Sequence, residues 1–325
     1  RYCTVDDLQC VVEHVVAPGR KDVCLARRTN TGGWLARGLR VSDLFLNPGK
    51  KIFGMRGRLP EANREYADTA KQRWPNLPLI VLVDGRSASA AEIVAGALQD
   101  HDRALIVGTP TYGKGSAQSV VSFGDEGGLK LTTARWFTPA GRSITRRQPS
   151  DDDTDDSPPP AKRERFHTDG GRVVYGGGGI TPDVSAGDST TPLPEARFIR
   201  ALGANAGHFR DAVTDYALYL KATHGVTSPD FVVTPAMRDE VWKRMRERGI
   251  DIPRSVFDEG EPLVSRIIGF DIERYVFGSE AEFRRRASAD AALQKALELA
   301  HGAGSEAELL RKATHAQVGD SVATQ

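Results

Sequence analysis

The sequence is that of an α/β protein that continues into an all-helical C-terminal segment, and three observations lead to this class. The runs PLIVLVDG (78–85) and RALIVGT (103–109) are continuously apolar, as expected of strands buried on both faces. Between them, SAAEIVAGALQDH (89–101) has the period of an amphipathic helix. Strand, helix, strand at this length is a βαβ crossover, so the two strands are expected to run parallel. From about residue 195 onward, apolar residues recur at three and four, which is the helical period.

The other elements follow in order. In WLARGLRVSDLFL (34–46), Leu35, Leu39, Leu44 and Phe45 form one buried stripe near helical spacing. KKIFGMRG (50–57) reads as a short strand. REYADTAKQRWP (64–75) reads as a polar helix or loop stopped by Pro75. GLKLTTARWFTPAG (128–141) alternates apolar and polar positions, as a strand does. QPSDDDTDDSPPPAKRER (148–165) is a solvated, poorly ordered insertion by composition. Strand-like sequence returns at 165–184, where Gly176–Gly179 lead into ITPDV as a close-approach turn. Ser279-x-x-Glu282 and Ser305-x-x-Glu308 have the form of capping boxes. The expected organisation is an atypical segment 1–24, a core 25–190, a helical subdomain 195–315 and a frayed tail 316–325.

Composition excludes several classes of function. Of 325 residues, 44 are Lys or Arg and 43 Asp or Glu, a formal charge of +1 that gives no reason to expect nucleic acid or an anionic membrane as partner. No apolar run is long enough to span a bilayer. RYCTVDDLQC has neither an initiating Met nor a signal-peptide design, so the sequence reads as a fragment. Cys3, Cys10 and Cys24 all fall in the first 24 residues, and with His14 they fit no zinc spacing. DDDTDD lacks the glycine and distal glutamate of a calcium loop.

Two residues carry the candidate chemistry. Ser89 stands where a buried strand turns into a helix, beside backbone N–H groups that have no intrahelical partner. Ser89-Ala90-Ala91-Glu92 is itself a capping box, so plain capping competes with a nucleophile served by an oxyanion site at the helix start. Gly85-Arg86-Ser87-Ala88-Ser89 departs from the Gly-x-Ser-x-Gly elbow of α/β-hydrolases, and His101 reads as a C-terminal cap. Lys114 lies between two glycines after the second buried strand, at the same end of the crossover, where open α/β sheets place their sites. A lysine acts as a base only when neutral, which requires burial in a dry loop away from carboxylates, and TYGKGSAQ contains no acid.

The stretch VLVDGRSASAAEIVAGALQDHDRALIVGTPTYGKGSAQ resembles the catalytic core of the C-terminal processing peptidases, or tail-specific proteases, of serine peptidase family S41. The likeness pairs the Ser-Ala-Ser-Ala-x-Glu turn with Thr-Tyr-Gly-Lys-Gly and a following Gln, and extends over about residues 27–185. RTNTGG (28–33) is similar to the family's glycine motif, with Ala26 where the family has aspartate. The resemblance implies a crotonase/ClpP-like core and a serine endopeptidase that cuts protein substrates near their C-terminus. It makes Ser89 the nucleophile, Lys114 the general base and Gln118 the orienting third member, one turn beyond Lys114 if that segment is helical. The backbone N–H groups of Gly33 and Ala90 form its oxyanion hole. It further implies protein or peptide substrates, no metal or organic cofactor, and a periplasmic, envelope or secreted location. The PDZ domain that precedes the family's core is not found in this sequence. A catalytically impaired module binding peptides or hydrophobic ligands is the alternative, and oligomerisation through the C-terminal helices stays open.

Overall fold

The computed structural model describes residues 5–16, 22–146, 163–187 and 191–322. Most of the expected insertion at 148–165 lies outside them. The chain divides into two compact units, residues 1–189 with 295–325, and residues 190–294.

The first unit opens with α1 (Val5–Val16) and β1 (Val23–Ala26), then α2 (Leu35–Asp43), β2 (Lys51–Gly57) and β3 (Arg64–Ala67). It continues through β4 (Leu79–Val83), α3 (Ala90–Asp100), β5 (Leu105–Gly108), β6 (Ser116–Ser122) and β7 (Gly128–Phe137), and then the short strands β8 (Arg165–His167), β9 (Val173–Tyr175) and β10 (Val184–Ser185). A four-stranded sheet has the order β1-β4-β5-β10, with every neighbouring pair parallel. The expected crossover is its centre: all five residues of β4 and all four of β5 are buried, and α3 connects them. A second sheet, β3-β2-β7-β6, is antiparallel. Phe45, Phe53, Val81, Ile93, Leu98 and Trp136 belong to one core that both sheets and α3 share. The class is therefore mixed α/β.

Three local expectations change. REYA, read as helix or loop, is β3, because Tyr66 stacks on the buried Phe53 ring at 4.5 Å and the segment pairs with β2. Tertiary packing outweighs the segment's polar texture. Residues 23–24, assigned to the atypical N-terminal segment, lie in the parallel sheet, where Val23 pairs with Leu79 and Cys24 with Ile80. Residues 316–322, expected as a frayed tail, continue a helix that ends at Val322.

The second unit is helical among its described residues. It comprises α4 (Leu193–Leu202), α5 (Ala206–Thr223), α6 (Pro235–Glu247), α7 (Arg254–Glu259), α8 (Glu261–Ile272) and α9 (Ser279–Ser288) around a core that includes Phe198, Val213, Met245, Phe257 and Ile268. Gly278, not Ser279, is the N-cap of α9. The helical subdomain expected to reach residue 315 ends at 294. The last helices, α10 (Ala291–Ala300, from residue 295 on) and α11 (Glu306–Val322), fall in the first unit. Glu306 fixes α11 there: its carboxylate meets Arg103 at 3.2 Å, while that guanidinium donates to the carbonyls of Phe45, Trp74 and Leu77.

Burial raises the Glu306 carboxyl to about 7, and the Arg103 charge only partly offsets this. The folded form therefore holds the proton more tightly than the unfolded chain, so this contribution is present at low pH and is lost as pH rises through about 7. We expect urea denaturation to show stability falling by about 2 kcal/mol between about pH 5 and pH 8. Glu306→Gln should flatten that part of the profile.

Candidate active site

Ser89 occupies the turn from β4 into α3 and adopts φ 54°, ψ −116°, a conformation that costs a non-glycine residue energy and must be imposed by its surroundings. Those surroundings come from both sides. The Ala88 N–H donates to the Asn30 carbonyl (2.9 Å), the Ser87 hydroxyl donates to the Arg27 carbonyl (2.9 Å), and the Thr29 N–H donates to the Asp84 carboxylate (3.0 Å). On the other flank the Tyr112 N–H donates to the Ser87 carbonyl (3.0 Å).

The glycine motif packs directly on this turn. Gly32 has φ 94°, and a Cβ there would stand 2.7 Å from the Ser89 Cβ and 3.1 Å from the Ala90 nitrogen. Gly33 and Ala90 line one cleft of about 750 Å³. Ala90 is the first residue of α3, where backbone N–H groups have no intrahelical acceptor and the helix dipole favours negative charge.

Glu92 joins the serine turn to the lysine loop. Its side chain is fully buried. Oε1 accepts from the Thr111 hydroxyl (2.5 Å) and the Gly113 N–H (2.7 Å). Oε2 accepts from the Ser89 N–H (2.8 Å) and the Lys114 N–H (2.9 Å). One oxygen thus holds the Ser89 and Lys114 backbone nitrogens within about 6 Å of each other. Burial pushes the Glu92 carboxyl above its ordinary range, against the pull of the four donors.

The glycines beside Lys114 now have a physical reason. Gly113 has φ 90°, and a Cβ there would meet the Arg146 Cβ at 2.7 Å; one on Gly115 would collide with the Thr145 hydroxyl. The buried Trp136 indole N–H donates to the Lys114 carbonyl (3.0 Å), so both ends of that residue's backbone are pinned. Its side chain is exposed, so the dry loop expected around it is not formed by the chain alone. The TYGKGSAQ segment has no acid of its own, but α3 brings the Glu92 carboxylate to the Lys114 backbone N–H.

Gln118 lies on β6, opposite Thr132, and is exposed. The condition that would place it one helical turn from Lys114 is not met, because β6 pairs with β7 along its whole length. His101 caps the far end of α3, about 18 Å along the helix from Ser89. Its ring contacts the Asp169 carboxylate at 2.9 Å and the Lys51 carbonyl at 2.7 Å. It is a cap, not a base for Ser89. Glu92 and Trp136 are the positioning residues that sequence reasoning missed. Glu92 was visible only as a capping partner three residues from Ser89.

Residues 5–153 match the family model "Peptidase family S41", which confirms the resemblance over that stretch and extends it into the segment read as atypical. A carboxy-terminal-processing protease of Bartonella bacilliformis is 43% identical over 145 residues, covering 43% of this chain and 33% of the relative. The chloroplastic carboxyl-terminal-processing peptidase 1 of Arabidopsis thaliana is 38% identical over 133 residues, covering 41% and 27%. The carboxy-terminal processing protease CtpA of Bacillus subtilis is 33% identical over 144 residues, covering 44% and 30%. The chain thus spans about a third of the length of these relatives. The solved photosystem II D1 C-terminal processing protease is 33% identical, covering 45% of this chain and 37% of that one, with a TM-score of 0.41.

Two substitutions test the geometry. Glu92→Gln keeps the shape but turns an NH₂ toward two N–H or O–H donors whichever way it lies, so it should destabilise the protein by about 2–4 kcal/mol in urea denaturation. Gly32→Ala should destabilise the protein by about 1–3 kcal/mol in urea denaturation, because its methyl group would meet the Ser89 Cβ at 2.7 Å in a backbone conformation that disfavours a side chain.

Proposed function

We propose that the protein is a serine endopeptidase with a crotonase/ClpP-like core that cleaves protein substrates near their C-terminus, using Ser89 as nucleophile and Lys114 as general base. The observation that carries this reading is the single buried carboxylate oxygen that holds the Ser89 and Lys114 backbones together. Ser89 Oγ attacks the scissile carbonyl carbon while its proton passes to neutral Lys114 Nζ. The oxyanion is received by the N–H groups of Ala90 and Gly33, the former strengthened by the start of α3. The resulting ammonium protonates the leaving amine. Water, deprotonated by Lys114, then hydrolyses the acyl-enzyme.

Each Glu92 oxygen is already committed to two donors, so its charge is spent on the backbone scaffold and not on the lysine ammonium. Lys114 is exposed, so in this reading the bound polypeptide is what covers it. Gln118, on β6, is the orienting third member of this proposed set. Among the described residues no helix is long and apolar enough to cross a membrane. The processing-protease relatives support a place of action in the envelope or outside the cytoplasm.

A fluorophosphonate probe should label the protein at Ser89, and Ser89→Ala should abolish labelling. Lys114→Arg should lower kcat/KM at least about a thousandfold, because a guanidinium keeps its proton at every working pH. Near-normal cleavage by a folded Lys114→Arg protein would rule out lysine as the base.

A further inference from the structure

The helical unit, residues 190–294, has a cleft of its own, of about 980 Å³. Its walls are the loop before α6, α8, the turn after α8, and α9. Glu273 belongs to the lining and opens a π-helical turn, Glu273–Phe277, an uncommon backbone form that recurs at functional sites. The residue is 2% exposed. Its Oε1 accepts from Arg285 Nη1 at 3.0 Å, whereas its Oε2 is buried without a hydrogen-bond donor among the described residues. A buried carboxylate oxygen that lacks a donor is costly, so this wall holds a strong acceptor in reserve. The guanidinium groups of the lining are already committed. Arg285 Nη2 donates to the Phe231 carbonyl (3.1 Å), Arg266 pairs with Glu195 (2.9 Å) and Arg284 with Glu280 (2.9 Å). A second acid of the lining, the exposed Asp230, has no ion pair among the described residues. Phe231, Phe270 and Phe277 add aromatic surface, and the Arg285 guanidinium already lies 4.4 Å from the centre of the Phe231 ring.

From these observations we propose that the cleft binds an organic cation, an ammonium or guanidinium group on an apolar stem, which Glu273 and Asp230 receive and the phenylalanine rings cover. The proposal is independent of the endopeptidase reading and concerns the helical unit by itself. An N–H donor on Glu273 Oε2 completes the hydrogen bonds of that carboxylate with a charge-assisted contact, which is stronger where water is kept away. The oxygen is covered, so the ligand reaches it by displacing a flexible side chain. Arg285, whose side chain is 26% exposed, is bonded to the same carboxylate and is the one that moves. Aromatic faces attract a cation, and the apolar stem packs against them. Two sources carry this group, a free amine and the Lys or Arg side chain of a polypeptide.

The test compares probes of one shape and different charge. Isothermal titration calorimetry of the whole chain is run with 4-phenylbutylamine, 4-phenylbutanol and 4-phenylbutyrate. The amine should bind at least about tenfold more tightly than the alcohol, and the carboxylate most weakly. An acetylated, amidated dipeptide of phenylalanine and lysine, set against the same dipeptide acetylated on its lysine, tells a polypeptide side chain from a free amine. Preference for either cationic probe over its neutral counterpart supports the proposal, and the tighter of the two names the source. Glu273→Gln keeps the side chain's shape and should cut affinity for the cation about tenfold, with that for the alcohol nearly unchanged. Asp230→Lys, at an exposed position, should cut it about threefold or more. Equal affinity for charged and neutral probes would overturn the proposal, as would no binding of either cation at about 10 mM. So would cation binding that both substitutions leave unchanged. If Glu273→Gln fails to fold by circular dichroism, the Asp230→Lys result decides alone.

Discussion

The arrangement depends on one buried carboxylate. Glu92 accepts from four donors that come from three places in the chain: the Ser89 turn, Thr111, and the Gly113–Lys114 peptides. A carboxylate removed from water is costly unless its lone pairs are filled, and here each oxygen takes two donors. The same four bonds that make burial tolerable also fix the strand-to-helix turn against the loop after β5. The scaffold and the site are thus satisfied by one group.

The rest of the site follows from that clamp. The strained Ser89 backbone is sustained because its neighbours Ser87 and Ala88 are bonded to the 27–30 segment on one flank and to Tyr112 on the other. Gly32 approaches Ser89 more closely than any side chain would permit. Thr111 extends the clamp by accepting the Ile180 N–H, so the glycine-rich turn before β10 is tied in as well. Trp136 holds the Lys114 carbonyl from β7 of the antiparallel sheet. The lysine side chain itself is exposed, in keeping with the proposed base that substrate would cover.

The βαβ crossover and the positions of Ser89 and Lys114 were legible because they depend on local signals: continuous apolar strands, a helix start and a glycine-flanked lysine. Glu92 was legible only in part. Its bond to the Ser89 N–H lies three residues away and has the form of a capping box, whereas its bonds to Thr111, Gly113 and Lys114 span 19 to 22 residues. Trp136 is invisible for the same reason. REYA misled because a four-residue segment that opens on two charged residues carries no strand period, and Phe53 beneath Tyr66 decides its state. The helical period beyond 195 marked the region as helical but not its partition, since the division at 294 goes with long-range contacts such as that of Glu306 with Arg103, not with periodicity.

The central claim is that the Glu92 clamp assembles a serine–lysine pair. Its most direct test is the separation of Ser89 Oγ and Lys114 Nζ in a crystal structure of the protein with a peptide boronate bound. The account predicts a boron–Oγ bond, with Nζ within hydrogen-bond reach of Oγ or one water away. A boronate bonded to Ser89 with Nζ more than about 7 Å from Oγ would contradict it, because a base at that distance cannot take the proton.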